Sequence, residues 1–286
     1  MQPILKTLVI AAGGGFVFNL LNIPLPWMLG AVAALIVAGK FKRMTLNWPM
    51  SLRDAGLMLL GYNMGRPFTI ETGQQIIGHL PAMVFATLFT IGVSFITAYL
   101  TYRQTEISFA SSLIGSVPGG LSQMVVLCDE VADSDIAVVS FMQTIRLLSV
   151  VFVVPLLTVH GLAANKAAVN LAVAAGEAGA ASFFQIALLV LIVLGSAAVA
   201  RYCHWPTPYL LGPMLGTAAA AVAGVIAPKP PDFLVSLAQL SMGAYMGASI
   251  KLENLGNWRK LLPYTLLGVA AILAESLLVG YLLAAW

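Results

Sequence analysis

The chain alternates between long apolar runs and short polar connections. A helix needs about 20 apolar residues to cross a bilayer, and runs close to that length recur along the sequence. The predicted spans are Ile4–Leu21, Trp27–Gly39, Leu52–Tyr62, Leu80–Tyr102, Ile136–Val159, Phe183–Ala200, Tyr209–Ile226, Phe233–Met246 and Leu261–Ala284. With the interrupted stretch Ile107–Cys128, the pattern predicts an all-α integral membrane protein of about nine or ten transmembrane segments.

The interrupted stretch contains Gly-Ser-Val-Pro-Gly-Gly-Leu-Ser-Gln-Met. Proline removes a backbone donor and paired glycines free the chain from helical geometry, which predicts a broken or re-entrant segment. The alternative is a turn between two ordinary helices. Non-helical backbone at membrane depth must be buried in protein or line a wet cavity, as in carrier substrate sites. The candidate substrate-binding residues here are Ser116, Pro118, Gly119, Gly120, Ser122 and Gln123.

The sequence also repeats itself at a constant offset. Pro-Leu-Pro-Trp-Met-Leu-Gly from Pro24 matches Pro-Thr-Pro-Tyr-Leu-Leu-Gly from Pro206, an offset of 206 − 24 = 182. The same offset relates Gly61, Met64 and Gly65 to Gly243, Met246 and Gly247, Pro81 to Pro263, Ser94 to Ser276, and Tyr99 to Tyr281. We interpret this as a duplication, with a first membrane repeat at 1–160, a linker at 161–182 and a second repeat at 183–286.

Lysine and arginine prefer cytoplasmic loops, and their distribution predicts opposite orientations for the two repeats. In the first repeat the positive charges Lys40, Lys42, Arg43 and Arg53 lie between the second and third spans, and Arg103 follows the fourth. In the second repeat they lie after the first and third spans: Arg201, Lys251, Arg259 and Lys260. Arg66 and Lys229 are exceptions to this pattern. An inverted pair needs an odd number of crossings per repeat, which holds if Ile107–Cys128 enters and leaves on one side.

Composition agrees with a membrane protein. The 286 residues are 60% hydrophobic and 9% charged, and the mean hydropathy is +0.94, whereas soluble domains carry about 25% charged residues. The net charge of +3 forms no basic stripe, so we expect no nucleic-acid binding. Cys128 and Cys203 do not suggest a disulfide scaffold or a metal site.

The sequence contains none of the residue patterns that are typical of the enzyme classes considered below. Oxygen activation at copper or iron needs clustered histidine and carboxylate ligands, but the three histidines, His79, His160 and His204, lie in no ligand-spaced motif. No nucleophile elbow, phosphate loop or His-Glu-x-x-His pattern occurs. We therefore expect no enzyme, no catalytic residue, no metal and no cofactor.

Two predicted spans contain charged residues that mark candidate sites. Gln143 and Arg146 are three positions apart and share a helix face. A buried arginine is costly unless it is paired or faces water, and its planar fork suits carboxylate or phosphate groups. It could instead lie near the membrane surface or pair with an acidic neighbour. Glu275 interrupts an apolar span, and it is a candidate proton or cation site. It could equally contact a missing C-terminal portion or a partner subunit.

Prolines and glycines at equivalent positions of the two repeats are candidates for helix breaks or close packing. They are Pro24, Pro26, Gly30, Gly61 and Gly65 in the first repeat and Pro206, Pro208, Gly212, Gly243 and Gly247 in the second.

Together the paired Pro-x-Pro motifs, the Gly-Ser-Val-Pro-Gly-Gly stretch and the Phe-Met-Gln-Thr-Ile-Arg-Leu-Leu segment from Phe141 resemble the bacterial AbrB-type membrane protein family. Its members are described as regulators or ammonia monooxygenases, and they usually carry a second Pro-Gly-Gly motif and a second Gln-x-x-Arg helix near the C-terminus. Neither is present, so either the chain ends naturally at Trp286 or a C-terminal portion is missing. The resemblance implies a multi-pass protein of the bacterial cytoplasmic membrane.

The leading functional hypothesis is a secondary transporter of a small anionic organic solute. The solute would bind at Ser116–Gln123 with Arg146 as its counter-charge, and transport could be coupled to protons or sodium. The partners expected are the lipid bilayer, the solute, the coupling ion and a second copy of the chain in a homodimer. The rival hypotheses are a membrane-embedded regulator of gene expression that acts through a partner, and a structural subunit of a larger membrane complex.

Overall fold

A computed structural model describes residues 2–39, 46–160, 183–225, 227–249 and 258–284, and this part of the chain is helical without strands. The helices are α1 (Gln2–Leu20), α2 (Pro26–Gly39), α3 (Met50–Gly65), α4 (Ile70–Gln104), α5 (Phe109–Ser116), α6 (Leu121–Glu130), α7 (Ile136–His160), α8 (Phe183–Tyr202), α9 (Pro208–Val222), α10 (Asp232–Ser249) and α11 (Trp258–Ala284).

Four of these helices contain apolar segments long enough to cross a membrane: Pro3–Leu20, Ile70–Gln104, Ile136–Leu157 and Lys260–Tyr281. Apolar segments of 10–17 residues lie at Pro26–Gly39, Ala187–Tyr202 and Pro208–Val222. The described part of the chain is therefore all-helical and has the character of a membrane protein. The count of nine or ten crossings stays a prediction.

Helix α4 begins ten residues before the predicted span at Leu80. Its first turns carry Glu71, Gln74, Gln75 and His79. Because these residues are polar, the pattern of apolar residues predicts a later start for this helix. Pro81 lies inside the helix. The proline follows the polar turns directly, so it looked like a boundary in the sequence.

The described residues divide into two compact units, of which the first comprises Met1–Ile76 and Thr158–Lys251. In this unit α3 packs on α9 and α10 packs on α2. Glycines make both contacts possible: a Cβ atom on Gly61 would collide with the carbonyl oxygen of Leu210, and one on Gly243 with that of Met28. The two contacts are equivalent under the repeat, because Gly61 corresponds to Gly243 and Met28 corresponds to Leu210 at the offset of 182.

Two polar contacts support the packing of this unit. The indole Nε1 of Trp48 donates to Oγ of Ser241 at 3.0 Å, and the hydroxyl of Tyr62 donates to the carbonyl oxygen of Pro228 at 2.7 Å. Since Trp48 is only 8% exposed, its N–H would otherwise lack a partner in an apolar setting. These bonds fix α3 and the segment before it against the part of the chain around α10.

Left-handed backbone also recurs at the offset of 182. Asn22 and His204 both have φ 53°, and Leu25 and Thr207 have φ 50° and 46°. A non-glycine residue rarely adopts this conformation. Leu25 and Thr207 each precede a proline that begins a helix, and a residue before proline avoids the right-handed α region. The chain thus enters α2 and α9 through the same unusual turn.

The second compact unit comprises Ile77–Leu157 and Leu252–Trp286, which hold α5, α6, most of α4 and α7, and α11. Helices α4 and α11 run antiparallel in it. A Cβ atom on Gly268 would lie 3.6 Å from the side chain of Thr97, while Glu275, two turns further along α11, contacts Thr90, two turns earlier on α4.

The two compact units divide the chain differently from the predicted repeats, because each contains helices from both 1–160 and 183–286. The predicted linker 161–182 lies outside the described residues. The repeat boundaries therefore stay predictions.

Candidate functional site

The helix at the Pro-Gly-Gly stretch stops and restarts. Ser108 caps the start of α5 by accepting a hydrogen bond from the backbone N–H of Ser111, and α5 ends at Ser116. Val117 and Gly120 are extended, with ψ 130° and 132°, and α6 begins at Leu121. We call residues 117–120 the helix break.

Proline explains why α5 ends there. In a continuous helix the carbonyl oxygen of Ile114 would accept from the N–H of residue 118, which Pro118 does not have. Nε2 of Gln143 on α7 replaces that donor at 2.8 Å. The same Nε2 lies 3.0 Å from the carbonyl oxygen of Val117. Because both partners can only accept, the amide nitrogen must face them.

Arg146 holds the other side of the helix break. Its Nη1 donates to the carbonyl oxygen of Val117 at 2.8 Å and its Nη2 to that of Gly119 at 2.9 Å. Gln143 is 2% exposed, and Arg146, one turn further on, is partly buried. The two side chains of α7 thus satisfy three carbonyl groups that helical bonding leaves free.

An arginine side chain and a helix start meet at the helix break. Among the side chains that the structure describes, no acidic group forms an ion pair with Arg146. The first bond of α6 joins the N–H of Met124 to the carbonyl of Gly120 at 2.9 Å, and no side chain caps the helix start. The earlier N–H groups of α6 point their partial positive charge at the same place. This arrangement favours an anion.

A narrow crevice lies beside the helix break, within the second compact unit, and has room for about one water molecule. Polar lining comes from Thr97, Ser116, Arg146, Tyr264 and Thr265. Ser116 and Arg146 were predicted as site residues. Thr97, Tyr264 and Thr265 were not, because the sequence gives no sign that α4 and α11 pack beside α5.

Two buried polar atoms near the helix break have no hydrogen-bond partner among the described residues: Oγ of Ser112 and Oε1 of Gln143. Buried polar atoms are usually paired, so each such exception needs a reason. Ser112 is fully buried in α5. Both atoms can accept a hydrogen bond, and Oγ of Ser112 can also donate one.

The remaining predicted substrate ligands are more open. Pro118, Gly120 and Gln123 are exposed, and Gly119 is partly exposed. The side chain of Ser122 lies outside the described residues. The structure brings together Ser116, the helix break, Gln143 and Arg146, all within the second compact unit.

The other predicted residues have separate surroundings. Glu275 is 6% exposed and contacts Thr90. The paired prolines and glycines belong to the first compact unit, where Pro26 and Pro208 begin helices. Close backbone approaches occur at six of the predicted glycines: Gly30, Gly61, Gly65, Gly212, Gly243 and Gly247.

Comparison with known proteins relates the chain to one family. The family model described as "Transition state regulatory protein AbrB" matches residues 27–286. "Uncharacterized protein YhjN" of Bacillus subtilis is 28% identical over 232 residues, which are 76% of this chain and 59% of that protein. "Putative regulator AbrB" of Escherichia coli is 26% identical over 257 residues, 90% of this chain and 72% of that protein. No solved structure matches significantly.

Proposed function

The chain belongs to the AbrB family, and we propose that it is a secondary transporter of a small anionic organic solute, with the helix break at residues 117–120 as the substrate site. The observation that carries this proposal is the cation of Arg146, which faces the break without an acidic partner among the described side chains. The hydrogen bonds of Arg146 go to neutral carbonyl groups, so its charge is not neutralised, and such a charge is costly in an apolar protein. An anionic solute would offset that cost while bound.

The helix ends support a binding role for the backbone as well. Interrupted helices in carriers present N–H groups to anionic solutes from a helix start. Here α6 starts at the break without a side-chain cap, and Ser116 and Arg146 line the adjoining crevice. Because the crevice admits about one water molecule, the solute would enter a more open form of the protein.

The proposal includes an inverted duplication, which several contacts support. Helices α4 and α11 occupy equivalent positions in the two copies and meet antiparallel. Copies related by a two-fold axis in the membrane plane bring equivalent helices together in this way, whereas copies of equal orientation would align them in parallel. The exchanged glycine contacts and the repeated left-handed residues follow the same offset of 182.

The alternative is a membrane-embedded regulator that acts through a partner. It is favoured by the names of the family and of the Escherichia coli relative, both of which refer to regulation. Such a protein would need no solute flux. The two functions therefore differ in one measurement.

That measurement is solute uptake into proteoliposomes, with pools of radiolabelled carboxylates, amino acids and phosphonates. We expect uptake by the wild-type protein and at least about a tenfold loss of uptake at low solute concentration in Arg146→Gln, since one charged hydrogen bond contributes about 1.5–3 kcal/mol. Arg103→Gln is the matched control, because Arg103 is exposed and, among the described residues, its hydrogen bond is to Tyr99 on its own helix. Silence from folded wild-type protein across all pools would favour the regulator.

A further inference from the structure

Glu275 is a buried carboxyl group within an apolar helix. It lies in the segment Lys260–Tyr281 of α11, one of the four segments long enough to span a membrane, and is 6% exposed. Its hydrogen-bond contacts are with Thr90 of α4, whose Oγ1 lies 3.1 Å from Oε1 and 3.0 Å from Oε2. No ion pair of the described residues includes it.

The hydroxyl of Thr90 has more contacts than it has protons. Its Oγ1 also lies 2.9 Å from the carbonyl oxygen of Ala86, one turn earlier on α4. A hydroxyl donates one hydrogen bond and a carbonyl oxygen can only accept. If Thr90 donates to Ala86, the contact with Glu275 is a hydrogen bond only when the carboxyl carries a proton and donates it.

The surroundings favour that protonated form. An ionised Glu275 would be a buried anion with one hydroxyl donor, and a buried charge without full pairing is costly. A protonated Glu275 donates a hydrogen bond to the hydroxyl of Thr90, and that hydroxyl donates to the carbonyl oxygen of Ala86. The carboxyl proton and the hydroxyl proton then each have an acceptor. The arrangement therefore fits a neutral carboxyl better than a carboxylate.

Among the described residues of α4 and α11, no cation lies within two helical turns of Thr90 or Glu275. The closest titratable residues on α4 are His79 and Tyr99, eleven and nine positions from Thr90. On α11 they are Tyr264 and Tyr281, eleven and six positions from Glu275.

Helix α7 faces the same region through Arg146, which shares the crevice with Ile272, one turn before Glu275. The guanidinium of Arg146 is engaged with the helix break. It is bound there rather than to Glu275.

We propose that Glu275 binds a proton and is the site that couples transport to the proton gradient, an inference whose coupling part rests on the proposed function. On release, the O–H bond of the carboxyl breaks and the proton passes to water. The hydroxyl of Thr90 then turns from Ala86 to the carboxylate. Ala86 still accepts the helical bond from the backbone N–H of Thr90, so the turn leaves no carbonyl unpaired.

The proton site lies close to the candidate substrate site along α4. Thr97 lines the crevice and is two helical turns, about 10 Å, from Thr90. Ser94, Thr97 and Thr101 continue the same helix face and are 0%, 4% and 2% exposed. This buried polar face connects the carboxyl to the crevice, so a change in the charge of Glu275 acts on the helix that borders the solute.

Infrared spectroscopy tests the proton without any solute. We expect the folded wild-type protein to show a protonated-carboxyl stretch that is absent from Glu275→Gln. Carboxylate bands assigned to Glu275 in place of that stretch would overturn the proposal. Conversion to those bands when sodium is added at constant pH would also overturn it, because sodium would then occupy the site.

Transport in proteoliposomes tests the coupling separately. An imposed pH gradient should drive solute accumulation by the wild-type protein, while Glu275→Gln should keep solute exchange and lose the gradient-driven accumulation. If Glu275→Gln still accumulates solute with the gradient, the coupling claim is wrong and the transporter stands. If wild-type protein moves no solute, the proposed function fails, while the infrared result still decides whether Glu275 holds a proton.

Discussion

The carbonyl group of Val117 offers the sharpest test of how the helix break is held. It accepts one hydrogen bond from Gln143 at 3.0 Å and one from Arg146 at 2.8 Å. Either side chain can be removed and one donor remains. Removal of both leaves the carbonyl without a partner, so the two substitutions must interact.

The size of the interaction follows from these contacts. Gln143→Leu alone deprives Ile114 of its donor, and Arg146→Met alone deprives Gly119. Each such loss costs about 1–3 kcal/mol. The double variant loses both of these contributions, and the carbonyl group of Val117 also loses its last donor. We expect this additional loss to be about 1 kcal/mol, because Val117 is only partly buried.

The assay is reversible unfolding in mixed detergent micelles, followed by circular dichroism, for the wild-type protein, both single variants and the double variant. The double variant should lose about 1 kcal/mol more stability than the sum of the single losses. Ser241→Ala, in the first compact unit, is the control, and its loss of stability should be additive with that of either single variant. Additivity within about 0.5 kcal/mol for Gln143 and Arg146 would refute the shared role of Val117.

Two further predictions concern packing in the first unit. Gly61→Ala and Gly243→Ala should each destabilise the protein by at least about 1–3 kcal/mol, because a Cβ atom would collide with the backbone of the neighbouring helix. Gly92→Ala is the control: it has open space around it and should stabilise the protein by about 0.5–1 kcal/mol. Equal effects of the three substitutions on thermal unfolding would contradict this packing. Ser241→Ala should cost about 1 kcal/mol through the lost acceptor of Trp48, and unchanged unfolding with unchanged tryptophan fluorescence would argue against that bond.

Local sequence patterns bear on the local structure at the prolines and at the Pro-Gly-Gly stretch. Pro26 and Pro208 begin helices in the structure, as proline at a first helical turn suggests. The Pro-Gly-Gly stretch lies between the end of α5 and the start of α6. These features depend on residues that are neighbours in the chain, so the sequence alone contains the relevant physical constraints.

Contacts between distant segments could not be anticipated in the same way. The three-residue spacing placed Gln143 and Arg146 on one face of a helix, but the carbonyl groups that they hold lie 26–29 residues earlier. Thr90 is 185 residues from Glu275, and only the antiparallel packing of α4 on α11 reveals the pair. Thr97, Tyr264 and Thr265 were missed because they become crevice residues only after these helices pack.

The most direct test of the substrate site is protection of a single cysteine in the helix break. Gly120→Cys suits this purpose, because a Cβ atom there meets only the flexible end of Gln123 at 3.2 Å and the position is exposed. The native thiols would be replaced by Cys128→Ala and Cys203→Ser. We expect a transported solute to slow maleimide labelling of this cysteine at least about tenfold, with half-protection at the concentration that half-saturates uptake. Uptake of a solute that leaves the labelling rate unchanged at saturation would contradict a substrate site at the helix break.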